Sequence, residues 1–291
     1  MAQLREIKNR IGAVKTIGRI TKTMQMIATA KFTAAGHRAE QSRPYSQMID
    51  EMVRQVASRA EDYASPLIDG PSERAGKDLL LVICSDRGLC GAYNANILRT
   101  SSKHRLSLVD ESDVVVETAG KKATGFFKFQ GVEVSRAYAV GDTPKYEDVE
   151  AIAAKYLERY LEGEFDNIYV ASMRYVSVSR QNPTITKLLP LSRPEASNAD
   201  ITARQDVYDF TPSAAELLDT LLPTTVKTLL YQLFVEAAVS EHVMRMIAMK
   251  AASDNAKDFG RTLSRKFNRA RQGQITTELT EIVSGVAALE G

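Results

Sequence analysis

Apolar positions in the last eighty residues recur in one long series. From Val226 through Leu230, Leu233, Ala237, Ser240, Met244 and Ile247 to Ala251, they alternate steps of four and three. That mean period, near 3.5, belongs to a helix packed along a partner helix rather than to a free surface helix. After Pro223 no proline interrupts the run. A single helix is therefore predicted over 211–291, with Thr211 as its cap ahead of Pro212. At ~1.5 Å per residue it would be on the order of 100 Å long. No single core is that wide, so the helix must lie against something elongated.

The first sixty residues supply a match. Leu4, Ile7, Ile11, Val14, Ile17, Ile20, Met24 and Ile27 keep three-and-four spacing, with one extra step of three that locally overwinds a coil. Met48, Met52, Val53 and Val56 resume the stripe beyond Pro44, a predicted kink or interruption. Gly12, Gly18 and Gly36 each cost about 1 kcal/mol against alanine, so packing must support this helix. With a domain between them, the two terminal helices are expected to close on each other as an antiparallel pair.

That middle domain alternates strand and helix signals. Leu79–Cys84 reads as a strand buried on both faces, followed by a turn over Asp86–Asn94 and a short helix. Val114–Val116 and Val132–Val134 read as strands on either side of a helical Lys121–Phe129. Tyr146–Leu161 is an amphipathic helix, and Ile168–Met173 and Thr184–Leu191 are strands. The fold class is thus α/β: a long antiparallel coiled coil of the N- and C-terminal helices plus a small Rossmann-like domain. The expected domains are a discontinuous shaft over 1–62 and 208–291 and a foot over 77–195. Linkers at 63–76 and 196–207 join them.

Composition is that of an ordinary soluble globular chain, and the charge distribution adds the most. Nine Lys/Arg stand against Glu6 and Glu40 in residues 1–43, and eight against Asp254 and Asp258 in residues 245–271, leaving the remainder at −11. Two basic arms flank an acidic middle. Sparse aromatics within the arms (Phe32, Tyr45, Phe259, Phe267) argue against nucleic-acid binding. A basic rod centred in acidic protein, or plain solvated faces, remain as readings. The longest apolar run, Leu79–Cys84, is too short to span a bilayer. The basic amphipathic beginning, without a serine-rich break, reads as mature structure and favours a bacterial source.

Catalytic patterns are lacking. Cys84 and Cys90 are the two cysteines, without metal spacing, and read as reduced structural thiols. His37, His104 and His242 are scattered, with His242 read as a surface neighbour of Glu241; Glu278 and Glu281 read as a solvated face. Gly70 and Gly76-Lys77 approach a phosphate loop, but with five intervening residues and the strand on the wrong side. G-x-G-x-x-G is missing after the first strand, so a dinucleotide site is not expected either. No cofactor and no metal are expected.

Three motifs then narrow the field. Ser85-Asp86-Arg87-Gly88-Leu89-Cys90-Gly91 follows the first strand, and Ile20 to Lys31 (ITKTMQMIATAK) lies in the first helix. Asn268 to Gly285 (NRARQGQITTELTEIVSG) lies near the end of the chain. Together, in order and at these separations, they resemble the γ subunit of the F-type rotary ATP synthase over the whole chain.

The resemblance implies a central rotor shaft, itself non-catalytic, inside a ring of three α and three β subunits. The α/β domain would be a foot gripping the ε subunit and the c ring, so that membrane association comes only through the complex. The place implied is the cytoplasmic face of the bacterial inner membrane. By motif position, Met24 would face the β lever region, although its spacing equally allows a plain seam residue. Arg87 would approach that acidic lever, the bland alternative being a turn arginine pairing Asp86. Arg271, Gln272, Thr276 and Glu278 would form a polar cluster contacting β loops and the first helix, and Leu279–Leu289 the tip. Departures from the family pattern are minor: Thr23, Phe267 and Val286. No inserted cysteine pair for redox control is visible. A non-rotary helical adaptor, or less favourably a nucleotide-binding α/β enzyme, would share the general plan without needing these motifs.

Overall fold

A computed structural model describes residues 2–57, 63–71, 73–109, 112–192 and 213–290. The expected Thr211 cap, Pro212 and the 196–207 linker lie outside the described residues. Six helices and five strands run in the order α1 (Ala2–Ala57), α2 (Pro66–Asp69), β1 (Lys77–Ile83), α3 (Tyr93–Leu108), β2 (Asp113–Ala119), α4 (Lys121–Phe129), β3 (Val134–Tyr138), α5 (Tyr146–Leu161), β4 (Asn167–Ser177), β5 (Arg180–Leu189) and α6 (Ala214–Glu290) among the described residues. Pro44 and Pro223 sit inside α1 and α6 without ending either. α2, capped by the Ser65 hydroxyl accepting from the Leu67 amide, puts a helical turn within 63–76.

The chain forms two compact units. One contains residues 1–29 and 245–291, the other residues 30–244.

In the first unit α1 and α6 run antiparallel. A Cβ added to Gly18 would touch the Ala256 Cβ at 3.5 Å, and one added to Gly260 would touch the Val14 Cγ1 at 3.7 Å. Carried along, that register makes a heptad seam of positions 4, 7, 11, 14, 18, 21, 25 and 28 on α1, all half-buried or buried. Its α6 side runs through 246, 249, 253, 256, 260, 263, 267, 270 and 274. The expected seam is therefore one residue out of phase over part of each helix. Ile17, Ile20 and Ile27 are each 53% exposed, and Ile247 and Ala251 also face out. Small residues such as Gly18, Ala28, Ala256 and Gly260 hold the contact instead, because they let the backbones approach closely. No extra step of three is needed.

In the second unit a five-stranded sheet has the order β3-β2-β1-β4-β5. The first four strands are parallel, with Leu80 opposite Val116 on one side and Tyr169 on the other, and β5 returns antiparallel to β4. β1 is buried on both faces, as its Leu-Leu-Leu-Val-Ile run requires. Leu79, Leu81 and Ile83 join a core with α5, with Leu218 to Ala237 of α6, and with Val53 and Val56 of α1. Leu80 and Val82 face the other way, against Ile97 and Leu98 of α3 and Phe127 of α4. α5 supplies Val149, Ile152, Ala153, Tyr156, Leu157 and Tyr160, an apolar stripe at helical spacing. Residues 30–57 and 214–244, expected to belong with the shaft, thus lie in the compact unit that holds the sheet.

One charge sits inside this sheet. Glu117, fully buried on β2, accepts from the Tyr138 hydroxyl (2.7 Å), the Tyr156 hydroxyl (2.9 Å) and Arg159 Nη1 (2.6 Å). Arg159 also forks onto Glu164 and lies 4.6 Å over the Phe165 ring. Three donors on one carboxylate make its burial tolerable.

Because the coil depends on close approach at Gly18, Gly18→Ala and Gly18→Leu should move stability in opposite directions. Alanine meets only an ordinary contact and gains up to about 1 kcal/mol of helix propensity, whereas leucine overpacks the seam by about 1–3 kcal/mol. Denaturant midpoints of the two variants decide it; a leucine variant as stable as the alanine one would refute the close contact.

Candidate functional site

The turn after β1 leaves the carboxyl end of a central strand, beside the place where the strand order reverses. Open α/β sheets commonly bind ligands there. Here the crevice is filled: a cavity of about 20 Å³ remains, lined by Cys84, Asp86, Gly120, Glu241 and Phe234, Ala237 and Ala238 of α6. That is room for about one water and not for a nucleotide.

The turn itself is held rigid. The Ser85 hydroxyl donates to the Arg87 carbonyl at 2.6 Å, and the Asn94 carboxamide accepts from the Ser85 amide at 3.1 Å. Asn94 Nδ2 lies 3.2 Å from Cys90 Sγ. The Asp86 carboxylate accepts from the Lys121 amide at 3.0 Å, placing negative charge at the start of α4. Gly120, at φ +102°, cannot be replaced freely, since a Cβ there would lie 2.1 Å from the Cys84 carbonyl oxygen. Leu89, at φ +63°, is 60% exposed, and Arg87 beside it also faces out. Burial, with Cys90 and Glu241 adding to it, holds the Cys84 thiol well above its usual range, so it is no ready thiolate.

A polar cluster that sequence reasoning missed lies in the same unit. Lys31 of α1 forms an ion pair with Asp142, in the loop between β3 and α5. The Asp142 carbonyl lies 3.2 Å from His242 Nε2 on α6. Hydrogen bonding to Lys31 holds the Asp142 carboxyl below its usual range against the opposing effect of burial, and the charges of Lys31, His242 and Arg87 act in the same direction as the bond. His242 and Glu241, read from sequence as a surface pair, are instead 1% and 7% exposed. From Ala237 to Val243 every position of α6 is buried, so neighbouring residues cannot divide into an inner and an outer face.

The other sequence-predicted residues lie in the paired-helix unit. Met24 is half-buried beside the seam position Gln25. The coil register places it level with Lys250, roughly six helical turns from Arg271. It therefore does not face the 271–278 cluster. Arg271, Gln272, Thr276 and Glu278 share one exposed stretch of α6. There Thr276 donates to the Gln272 carbonyl at 3.0 Å and Gln274 donates to Glu278 at 2.7 Å. Beyond position 274 every described side chain of α6 is exposed, including Ile275, Leu279, Ile282, Val283 and Val286.

The ATP synthase family model matches residues 3–289. The chain is 40% identical to the ATP synthase gamma chain of Rhodopirellula baltica and 38% identical to that of Desulfitobacterium hafniense, in each case covering the whole of both chains. The chain belongs to the ATP synthase gamma chain family. As a γ chain it is a subunit of a larger complex. The fold agrees. A chain from the Euglena gracilis mitochondrial ATP synthase OSCP/F1/c-ring structure superposes with a TM-score of 0.65 at 17% identity, covering 99% of this γ chain and 95% of that chain. A chain from the Tetrahymena thermophila central stalk and c-ring structure gives 0.58 at 20% identity, covering 80% of this γ chain and 99% of that chain. Among the described residues, no helix of this γ chain is long and apolar enough to cross a membrane.

The Lys31–Asp142 pair makes a pH prediction. A carboxyl whose folded pKa is depressed stabilises the fold above its unfolded value of about 3.9, and that stability is lost as pH falls through the folded value. Both side chains are more than a third exposed, so Asp142→Asn should lower stability at neutral pH by under about 1 kcal/mol. The gap from the wild type should shrink as pH falls from about 4 toward 2. Denaturant midpoints measured across that range check it; a gap of constant size would exclude the ion pair as its source.

Proposed function

We propose that this γ chain is a non-catalytic shaft that turns inside three α and three β subunits. Its residues 1–62 and 208–291 serve as the rod, and 77–195 as the foot on the ε subunit and the c ring. The residues 63–76 and 196–207 join them. Ion-driven rotation of the ring would reach the β subunits through the rod, where ATP is made; hydrolysis would run the sequence backward. The complex would hold the chain at the membrane, on the cytoplasmic side in a bacterium.

The observation that carries this reading is the antiparallel packing of α1 on α6 within a chain whose relatives match it end to end. Two helices wound together resist bending and twisting better than one. Diffuse positive charge on such a rod centres it in acidic surroundings without fixing it to one partner position. The filled crevice at the strand ends favours a mechanical over a catalytic role for the sheet.

The outward apolar row supports a partner-facing role for Met24. Ile17, Ile20 and Ile27 face away from the coil, and Met24 falls in the same row. Arg87 stands exposed on its rigid turn, and Arg271, Gln272, Thr276 and Glu278 are exposed on α6. We assign all six to contacts with the surrounding subunits.

Affinity purification of the full-length chain from its own cells tests the reading: α- and β-type subunits should accompany it in threefold excess each, and their absence would refute it. Met24→Lys should leave assembly and folding near normal while sharply reducing ion-driven ATP synthesis by the assembled complex. Normal synthesis in that variant would remove Met24 from the contact set.

A further inference from the structure

The paired-helix unit carries a groove lined by part of the rod's diffuse positive charge. It has a volume of about 970 Å³ and runs between α1 and α6 along residues 14–22 and 253–265. Two rows of cations line it: Lys15, Arg19 and Lys22 from α1, and Lys257, Arg261 and Arg265 from α6. Asp254 is the one carboxylate among the lining residues. Successive cations on a row are three or four residues apart, so their stems leave the helix at intervals of about 5–6 Å.

Local acids leave most of this charge unbalanced. Arg261 reaches Asp258 at 3.2 Å with both side chains largely exposed, and Lys22 donates to the neutral Gln25 at 3.2 Å. Lys15, Arg19, Lys257 and Arg265 have no ion-pair partner among the described residues. The floor is low as well: Gly18, Ala256 and Gly260 place little bulk between the rows, Val14 is its one larger apolar side chain, and Ser253 and Ser264 add hydroxyls at the wall. The groove is open to solvent, so charge rather than enclosure would hold a ligand there.

We propose that this groove binds a linear polyphosphate group, either free inorganic polyphosphate or the triphosphate of a nucleotide. Its chemistry matches the lining in three ways. A chain of phosphates carries repeated negative charge along its length, as the two rows require. Its slender backbone suits a floor made mostly of small side chains. Its oxygens accept from guanidinium forks and ammonium groups at several points at once. A single phosphate would engage one or two cations and leave the rest in mutual repulsion. The groove draws on the same diffuse charge proposed to centre the rod, but none of the six residues assigned above to partner contacts lines it, so binding to the chain alone can fail without removing those contacts.

The test uses the full-length chain and sodium tripolyphosphate as probe, with binding followed by titration calorimetry at fixed ionic strength. Saturable binding of one tripolyphosphate per chain is expected, with ATP next and orthophosphate much weaker. Two triple variants separate the groove from bulk charge. Lys15→Gln with Arg19→Gln and Lys257→Gln should weaken tripolyphosphate binding at least about tenfold. Arg5→Gln with Lys8→Gln and Arg269→Gln removes the same charge from the same coil outside the groove lining, and should weaken it by less than about threefold. Circular dichroism confirms that both remain helical. Equal losses in the two variants, no saturable binding, orthophosphate as tight as tripolyphosphate, or a hexaglutamate peptide as tight as either, would each overturn the proposal. ATP binding that exceeds tripolyphosphate binding and persists in the groove variant would also overturn it, by placing the site elsewhere.

Discussion

The coil rests on how closely two helical backbones come together. Ala256 packs over Gly18, and Val14 over Gly260, so this part of the contact is made by small side chains. Glycine in a helix costs about 1 kcal/mol against alanine. That cost is tolerated here because a Leu or Ile seam would hold the helices further apart. In the stretch where Gly18, Thr21 and Ala28 are the inward residues, Ile17, Ile20 and Ile27 are left facing outward.

The sheet follows a different logic. β1 is covered on both faces, so each of its alternate residues has a core of its own. α6 closes one of these cores and, by occupying the crevice at the strand ends, removes the space a nucleotide would need. A fold that elsewhere holds cofactors is used here as a solid block. Glu117 is the exception to its apolar interior, and its three donors join β2, β3 and α5 by directional bonds where shape alone would have done less to set their placement.

Much of this was legible from residue patterns. The Leu79–Cys84 run, the Lys121–Phe129 helix and the Tyr146–Leu161 helix were read nearly to the residue, since each carries an unmixed period of its own. The existence of the terminal pair was equally plain. Its phase was not. Apolarity and burial part company where Gly18, Thr21 and Ala28 are the inward residues, and a search for large apolar side chains follows Ile17, Ile20 and Ile27 instead. The same misreading placed Ile247 and Ala251 on the inner side of α6. Pro44 shows another limit: a proline deletes one backbone donor, and tertiary packing around a long helix can absorb that loss. Of the candidate site, the four residues of the 271–278 stretch could be gathered because they are neighbours on one helix. The Lys31–Asp142 pair could not be foreseen, as 111 residues separate its members and the loop carrying Asp142 shows only turn chemistry. His242 and Glu241 were misplaced because a helix covered on every side loses the two-faced pattern that marks burial.

Past position 274, α6 continues as a single strand of helix with Ile275, Leu279, Ile282, Val283 and Val286 in contact with water. Such a stripe is adhesive toward any other apolar surface, its own copies included. The lone polypeptide is therefore prone to clump. A partner surface that covers those five side chains would remove that tendency.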